Sequence, residues 1–117
     1  MKKVLKSKKI IFLIVATFLI GFVVYFSDMI SATNGTFSPE AWNKYPKLRS
    51  KMIDDMESRY NIMNFNHDEI VELLGTNEAQ IYDDVIIYFV ESHLLGKYYY
   101  IWFDSDGKVK DKGIVID

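Results

Sequence analysis

Few side chains in this sequence stand in arrangements that could do chemistry, and the carboxylates come closest. Asp104-Ser105-Asp106-Gly107 has the Asp-x-Asp-Gly order of a calcium loop, where oxygen ligands alternate around a sharp turn. Aligning Gly107 with the loop's sixth position puts Trp102 at the first and Gly113 at the twelfth, so both acidic ends are missing. A hairpin turn accounts for the run. Asp54-Asp55 and Asp83-Asp84 are adjacent acids that could share a proton or hold a cation. The first pair falls on the polar face of a helix and reads as solvated. The second lies in a connection with no nucleophile or base nearby in sequence. His67 and His93 are the only histidines, and they form no metal-binding spacing. No GxSxG or glycine-rich phosphate loop occurs. Cysteine is absent, which excludes disulfides, thiolate metal sites and a thiol nucleophile. The expectation is a protein that is not an enzyme and holds no catalytic residue, cofactor or metal.

Aromatic surface is what the sequence does concentrate. In Tyr98-Tyr99-Tyr100-Ile101-Trp102-Phe103 the residue types favour a strand. Alternation then sends Tyr98, Tyr100 and Trp102 to one face and Tyr99, Ile101 and Phe103 to the other. Tyrosine and tryptophan bring large contact area at small entropy cost and dominate interface hot spots. Tyr98, Tyr100 and Trp102, with Tyr88 and Trp42, are therefore the candidate partner-binding residues. The competing reading is an ordinary half-exposed sheet surface, covered in part by Trp42. The sequence leaves open which set of rings faces outward.

The elements that must position those rings follow from periodicity. Ser38-Pro39-Glu40 starts a helix, with Ser as N-cap and Pro in the first position. Pro46 separates a short turn at 41–45 from a main helix at 47–60. In that helix Leu48, Met52, Ile53, Met56 and Tyr60 form one apolar stripe. Asn66 and Glu69 make a capping box for a second helix that Gly75 stops. Strands are predicted at 84–91, 98–103 and 108–116. The fold class is α+β: an N-terminal transmembrane helix, then two helices packed on a three-stranded antiparallel β-meander.

The transmembrane expectation comes from the first 30 of the 117 residues. Five lysines and no acid occupy residues 1–9, a basic foot. Seventeen residues follow, Ile10 to Phe26, interrupted only by Thr17 and Gly21, and residues 10–30 read as a signal anchor. The flanking charges would put the N-terminus in the cytoplasm. A buried soluble helix is disfavoured because little else could surround it. Cleavage after a small-residue site near Ala32, releasing a secreted domain, is the alternative. Residues 31–37 read as a linker, with an Asn34-Gly35 turn that also matches a glycosylation sequon. Residues 38–117 read as the extracytoplasmic domain. Nine of the 14 basic and all 16 acidic groups lie beyond residue 26, so that part carries −7. Such a charge disfavours nucleic acid and anionic lipid surfaces as partners.

The run from Asn66 to Ile116 resembles the SmpA/OmlA (BamE-like) family of small envelope lipoproteins. The matching pieces are Asp68-Glu69-Ile70-Val71-x-Leu73-Leu74-Gly75, the tyrosine-rich strand and Phe103-Asp104-x-Asp106-Gly107-Lys108-Val109. The resemblance extends over roughly residues 48–116. It implies a BamE-like α-α-β-β-β domain that binds protein and does no catalysis; the same unit occurs in β-lactamase-inhibitor proteins, which bind through the sheet surface. The family's lipidated cysteine and the proline usual after Leu-Gly are missing, the chain reading Leu74-Gly75-Thr76-Asn77. The expected function is a membrane-anchored protein-interaction module of the bacterial envelope, its partner an envelope or membrane protein. The alternative is a small structural or regulatory membrane subunit acting through its transmembrane helix.

Overall fold

The computed structural model describes residues 2–92 and 96–116, without the side chains of 2–10, 12, 21, 22, 24, 25 and 92. The elements run in the order α1 (Lys2–Thr33), α2 (Pro39–Lys44), a 3₁₀ turn at Pro46–Leu48, α3 (Arg49–Arg59), a 3₁₀ turn at Ile62–Asn64, and α4 (His67–Leu74). The strands β1 (Ala79–Ile81), β2 (Val85–Ser92), β3 (Gly96–Phe103) and β4 (Val109–Ile116) follow. The strands form one antiparallel sheet in the order β1-β2-β3-β4.

Local signals explain most boundaries. Ser38 caps α2 by accepting a hydrogen bond from Ala41 N at 3.1 Å, and Pro39 opens the helix. Both arms of the Asn66 capping box form: Glu69 N donates to Asn66 Oδ1 at 2.9 Å and Asn66 N to Glu69 Oε1 at 3.0 Å. Gly75 ends α4 at φ +73. The Asp104–Gly107 turn uses its aspartate internally: Asp104 Oδ1 accepts from Asp106 N at 2.9 Å and Lys108 N at 3.0 Å.

The helices cover one face of the sheet. Ile86, Tyr88, Val90, Tyr99, Ile101 and Phe103 are buried on that face, in one core with Trp42, Met52, Met56, Ile70 and Leu74. Trp42 meets the rings of Tyr88 and Tyr99 edge-on at 5.7 and 6.5 Å. Each aromatic buried this way contributes on the order of 2–3 kcal/mol.

The structure corrects two expectations. First, the sheet has four strands, not three: β1 pairs with β2 through Ala79–Tyr88, Gln80–Ile87 and Ile81–Ile86. Three residues are too few to display a period of two, which is why the pattern hides it. Second, among the described residues no helix is long and apolar enough to cross a membrane. This overturns the transmembrane helix at 10–30 and the single-pass cell-membrane localisation with a cytoplasmic N-terminus and extracytoplasmic domain. The apolar run of 17 residues falls short of the about 20 that a span needs. Just beyond the run the chain joins the folded domain: Asp28 faces Lys44 at 3.8 Å and Ala32 is fully buried in the core. Residues 31–37 contain the last turn of α1 and a turn in which Thr36 N donates to Ser31 O. Ile11, Leu13, Ile14, Phe18, Leu19 and Ile20 of α1 are exposed, while Phe26 and Met29 nearer its end are half-buried.

Candidate functional site

The sheet's other face has no helix layer over it among the described residues, and the register arranges it in three rows. In the first, Glu78 O accepts from Phe89 N, Phe89 faces Tyr98, and Tyr98 faces Val115. In the second, Gln80, Ile87, Tyr100 and Gly113 stand side by side. In the third, Tyr82 N donates to Val85 O, Val85 faces Trp102, and Trp102 faces Asp111. Tyr100 and Trp102 stack at 6.0 Å with an interplanar angle of 18°, and Phe89 meets Tyr98 edge-on at 6.0 Å. Trp102 is 38% exposed, which is large for tryptophan in so small a domain. Gly113 leaves a notch beside Tyr100, since a Cβ built there meets nothing within 4 Å.

The candidate rings thus divide. Tyr98, Tyr100 and Trp102 share the uncovered face. Tyr88 and Trp42 are fully buried in the core and offer no surface to a partner. Burial pushes the Tyr88 hydroxyl far up, partly offset by the charge of Arg49, and pushes Tyr99 up likewise. Tyr88 donates to Gly75 O at 2.7 Å and Tyr99 to Glu57 Oε1 at 3.2 Å.

Beneath the first row lies a residue that the sequence reading missed. Arg49 is fully buried and donates only to backbone carbonyls in its hydrogen bonds: Nε to Trp42 O at 2.7 Å, Nη2 to Asn77 O at 2.8 Å, and Nη1 to Phe89 O at 3.0 Å and Glu78 O at 3.3 Å. Its guanidinium lies 5.0 Å from the Trp42 ring centre and 5.6 Å from that of Tyr88. Burial lowers its pKa to about 10, against the opposing pull of Tyr88 and Glu78. The residue pins α2, the 77–78 connection and β2 together. It also fixes Glu78, the one described non-glycine residue with positive φ, at +47. The signal was present: Arg49 lies three and four residues before Met52 and Ile53, on the apolar stripe.

Two shallow grooves meet at Glu78 and Phe89. One of about 430 Å³ is lined also by Gln80, Ile87 and Tyr98 on the uncovered face. The other, about 520 Å³, runs along Lys44–Leu48.

The remaining candidates for chemistry are engaged structurally. Asp55 Oδ2 accepts from Phe37 N at 2.7 Å and pairs with Arg59 at 3.0 Å, while Asp54 is exposed. His67 packs on Phe103 at 4.8 Å and places Nε2 2.8 Å from Tyr82 O, an acceptor only, so that nitrogen carries the hydrogen. His93 lies outside the described residues. Asp83 and Asp84 are exposed at the β1–β2 connection. Among the described residues no group of three or more His, Asp or Glu side chains is placed to hold a metal ion.

Comparison with known proteins finds no matching family model, and no match among curated proteins or solved structures.

Proposed function

We propose that the chain is a protein-interaction module that binds a protein partner through the uncovered face of its sheet, with Tyr98, Tyr100 and Trp102 as the anchoring rings. The observation that carries this reading is the exposure of a stacked Tyr100–Trp102 pair on a face that no other part of the described chain covers. Rings held rigidly on a strand lose little entropy on contact, and the notch at Gly113 gives a partner side chain room beside Tyr100. The resemblance of residues 48–116 to the SmpA/OmlA family points the same way. The residues that carry it build the α4 cap, the Gly75 stop and the β3–β4 turn, and these set the sheet under its helices.

The test is site-specific crosslinking in intact cells. A photoreactive residue at position 102 should yield a discrete protein adduct, lost when Tyr98 and Tyr100 are both changed to serine. The same residue at position 54, on the exposed side of α3, should yield none. Equal adducts from both positions, with folding retained, would remove this reading.

A further inference from the structure

The two edges of the sheet are unequal, and the longer one is open over its last residues. β1 is an edge of three residues, with Glu78 at positive φ before it and Tyr82 N turned back to Val85 O after it. So short an edge offers little to pair with. β4, the other edge, has eight residues, and its outer side is closed only near its start. There Val109 N donates to Phe65 O and Lys108 bridges to Asn66. The register shift follows, and Lys112 N donates to Asp111 Oδ1 at 2.8 Å. Beyond Lys112 none of these devices recurs. Ile114, Val115 and Ile116 are all exposed, and no charge or proline stands among them.

The direction of the free backbone groups follows from the ladder. Phe103 N donates to Asp84 O, on the β2 side. Alternation along β3 then turns the backbone of Tyr98, Tyr100 and Trp102 toward β4, where they face Val115, Gly113 and Asp111. The N–H and C=O groups of Lys112, Ile114 and Ile116 are left pointing away from the sheet. Lys112 N agrees, since it takes its neighbour's carboxylate instead of a β3 carbonyl. Among the described residues, no backbone group outside the sheet bonds to Ile114 or Ile116.

A row of donors and acceptors repeating at about 6.8 Å is matched by another extended backbone and not by a helix, whose own groups are engaged. We propose that the open end of β4 takes an extended segment of a protein partner, added antiparallel as a fifth strand. What stands opposite fixes its side chains. Ile114 and Ile116 meet it on the helix side, Val115 and the Gly113 notch beside Tyr100 on the other. The segment is therefore apolar on both faces for about five residues, with a large ring opposite Gly113, where an edge glycine is best covered. A second copy fits less well. Antiparallel self-pairing centred on Lys112 sets lysine against lysine, and centred on Gly113 it sets glycine against glycine and leaves the notch empty. Centred on Ile114, it sets Asp111 against the acid that follows Ile116 in sequence. This inference goes beyond the ring face: it adds an adjoining surface whose attraction lies in the backbone.

The test follows the Ile114 and Ile116 amides of the full chain by NMR, in a non-ionic detergent that covers the apolar residues of α1. The probe is a heptapeptide capped at both ends, reading serine, valine, valine, isoleucine, phenylalanine, threonine, serine. Antiparallel pairing sets its isoleucine opposite Ile114 and its phenylalanine opposite Gly113. At saturation it should shift both amides and slow their exchange with solvent about tenfold or more. Methylating the peptide's isoleucine nitrogen, which points at Ile114 O, should weaken binding about tenfold. Methylating its phenylalanine nitrogen, which points away, should weaken it about twofold at most. The two methylated peptides have the same composition and enter the detergent alike. Ile114→Pro removes an outward N–H that the β3 ladder does not use, and should abolish binding as read at Ile116. Trp102→Ser should leave binding intact as read at both amides. Equal binding of the two methylated peptides, or no binding by the unmethylated one, would overturn the proposal. Binding that survives Ile114→Pro but not Trp102→Ser would move the peptide to the rings, removing the edge and keeping the ring face. Protection of the Ile114 amide that grows with protein concentration in the absence of peptide would give the edge to a second copy and overturn the partner.

Discussion

Arg49 gives its donors to the carbonyls of Trp42, Asn77 and Phe89, which lie on three different parts of the chain. Removing the guanidinium leaves these carbonyls without their donor, at about 1–3 kcal/mol for each one that water cannot reach. Arg49→Leu should therefore lower unfolding stability by about 3–5 kcal/mol in chemical denaturation. Arg49→Lys should not recover it, since one ammonium cannot reproduce the planar fork. Leucine at no cost would show that the network contributes nothing net. Alkaline pH tests the same region. Tyr88 and Tyr99 are pushed up by burial, so in the folded state they keep protons that the unfolded chain gives up near pH 10. Their stabilisation is complete below about pH 10 and is lost as pH rises beyond it. Arg49 opposes this: with its pKa lowered to about 10 it gives up its proton earlier in the folded state, which favours folding as pH rises from there. Two tyrosines outweigh one arginine, and stability should fall above pH 10. Ultraviolet titration should show Tyr88 and Tyr99 ionising only as the chain unfolds, and Tyr88→Phe should flatten the alkaline loss. The sequence made the division of rings by face legible, because alternation along β3 needs no tertiary knowledge. It could not show that Trp42 and Tyr88 pack into each other across the core. Nor did it show Arg49, because an arginine on an apolar stripe looks like a frayed edge of the pattern until its acceptors are seen.

Helix starts and stops were the most legible elements, since capping chemistry is local: Ser38, Asn66 with Glu69, and Gly75 do what their types allow. Gly75 also has a tertiary reason. Its φ is +73, a Cβ there would sit 2.5 Å from Asn43 Oδ1, and its carbonyl receives the Tyr88 hydroxyl. Gly75→Ala should cost about 1–3 kcal/mol, while Gly113→Ala, with open space and ordinary φ, should cost nothing measurable. Equal melting temperatures for the two variants would contradict this account of α4's end. β1 was illegible for a different reason. Ala79-Gln80-Ile81 has no pattern of its own, and its place is fixed by β2 beside it and by Arg49 holding Asn77 and Glu78 just before it. The end of α1 was misread because its small residues, Ser31, Ala32 and Thr33, look like linker composition. Ala32 is small because the core closes over it.

At the scale of the whole molecule, α1 sets the shape. The radius of gyration is 20.1 Å and the long axis 74 Å, whereas a compact chain of this length has a radius near 13 Å. The excess comes from a helix of 32 residues, about 48 Å long, of which the described residues before Phe26 find no place in the core. Ile14 and Phe18 are 63% and 72% exposed, a degree usual for lysine and not for a protein meeting water. The acidic domain beyond residue 26, at −7, repels its own copies, while the α1 side chains attract theirs. Which of the two prevails is decided by magnitude. Burying even four such side chains between copies contributes on the order of 6–12 kcal/mol, whereas surface charge repulsion is screened beyond about 10 Å at 0.1 M salt. In detergent-free buffer the full chain should therefore self-associate at micromolar concentration in sedimentation velocity. A chain starting at residue 27 should sediment as a monomer with its melting temperature within a degree or two. A chain starting at residue 35 loses Ala32 and the turn that follows it, and should melt several degrees lower. If the cut at residue 27 lowered the melting temperature as much as the deeper cut, α1 before Phe26 would be part of the domain's core; if that chain still self-associated, the attraction would lie in the sheet.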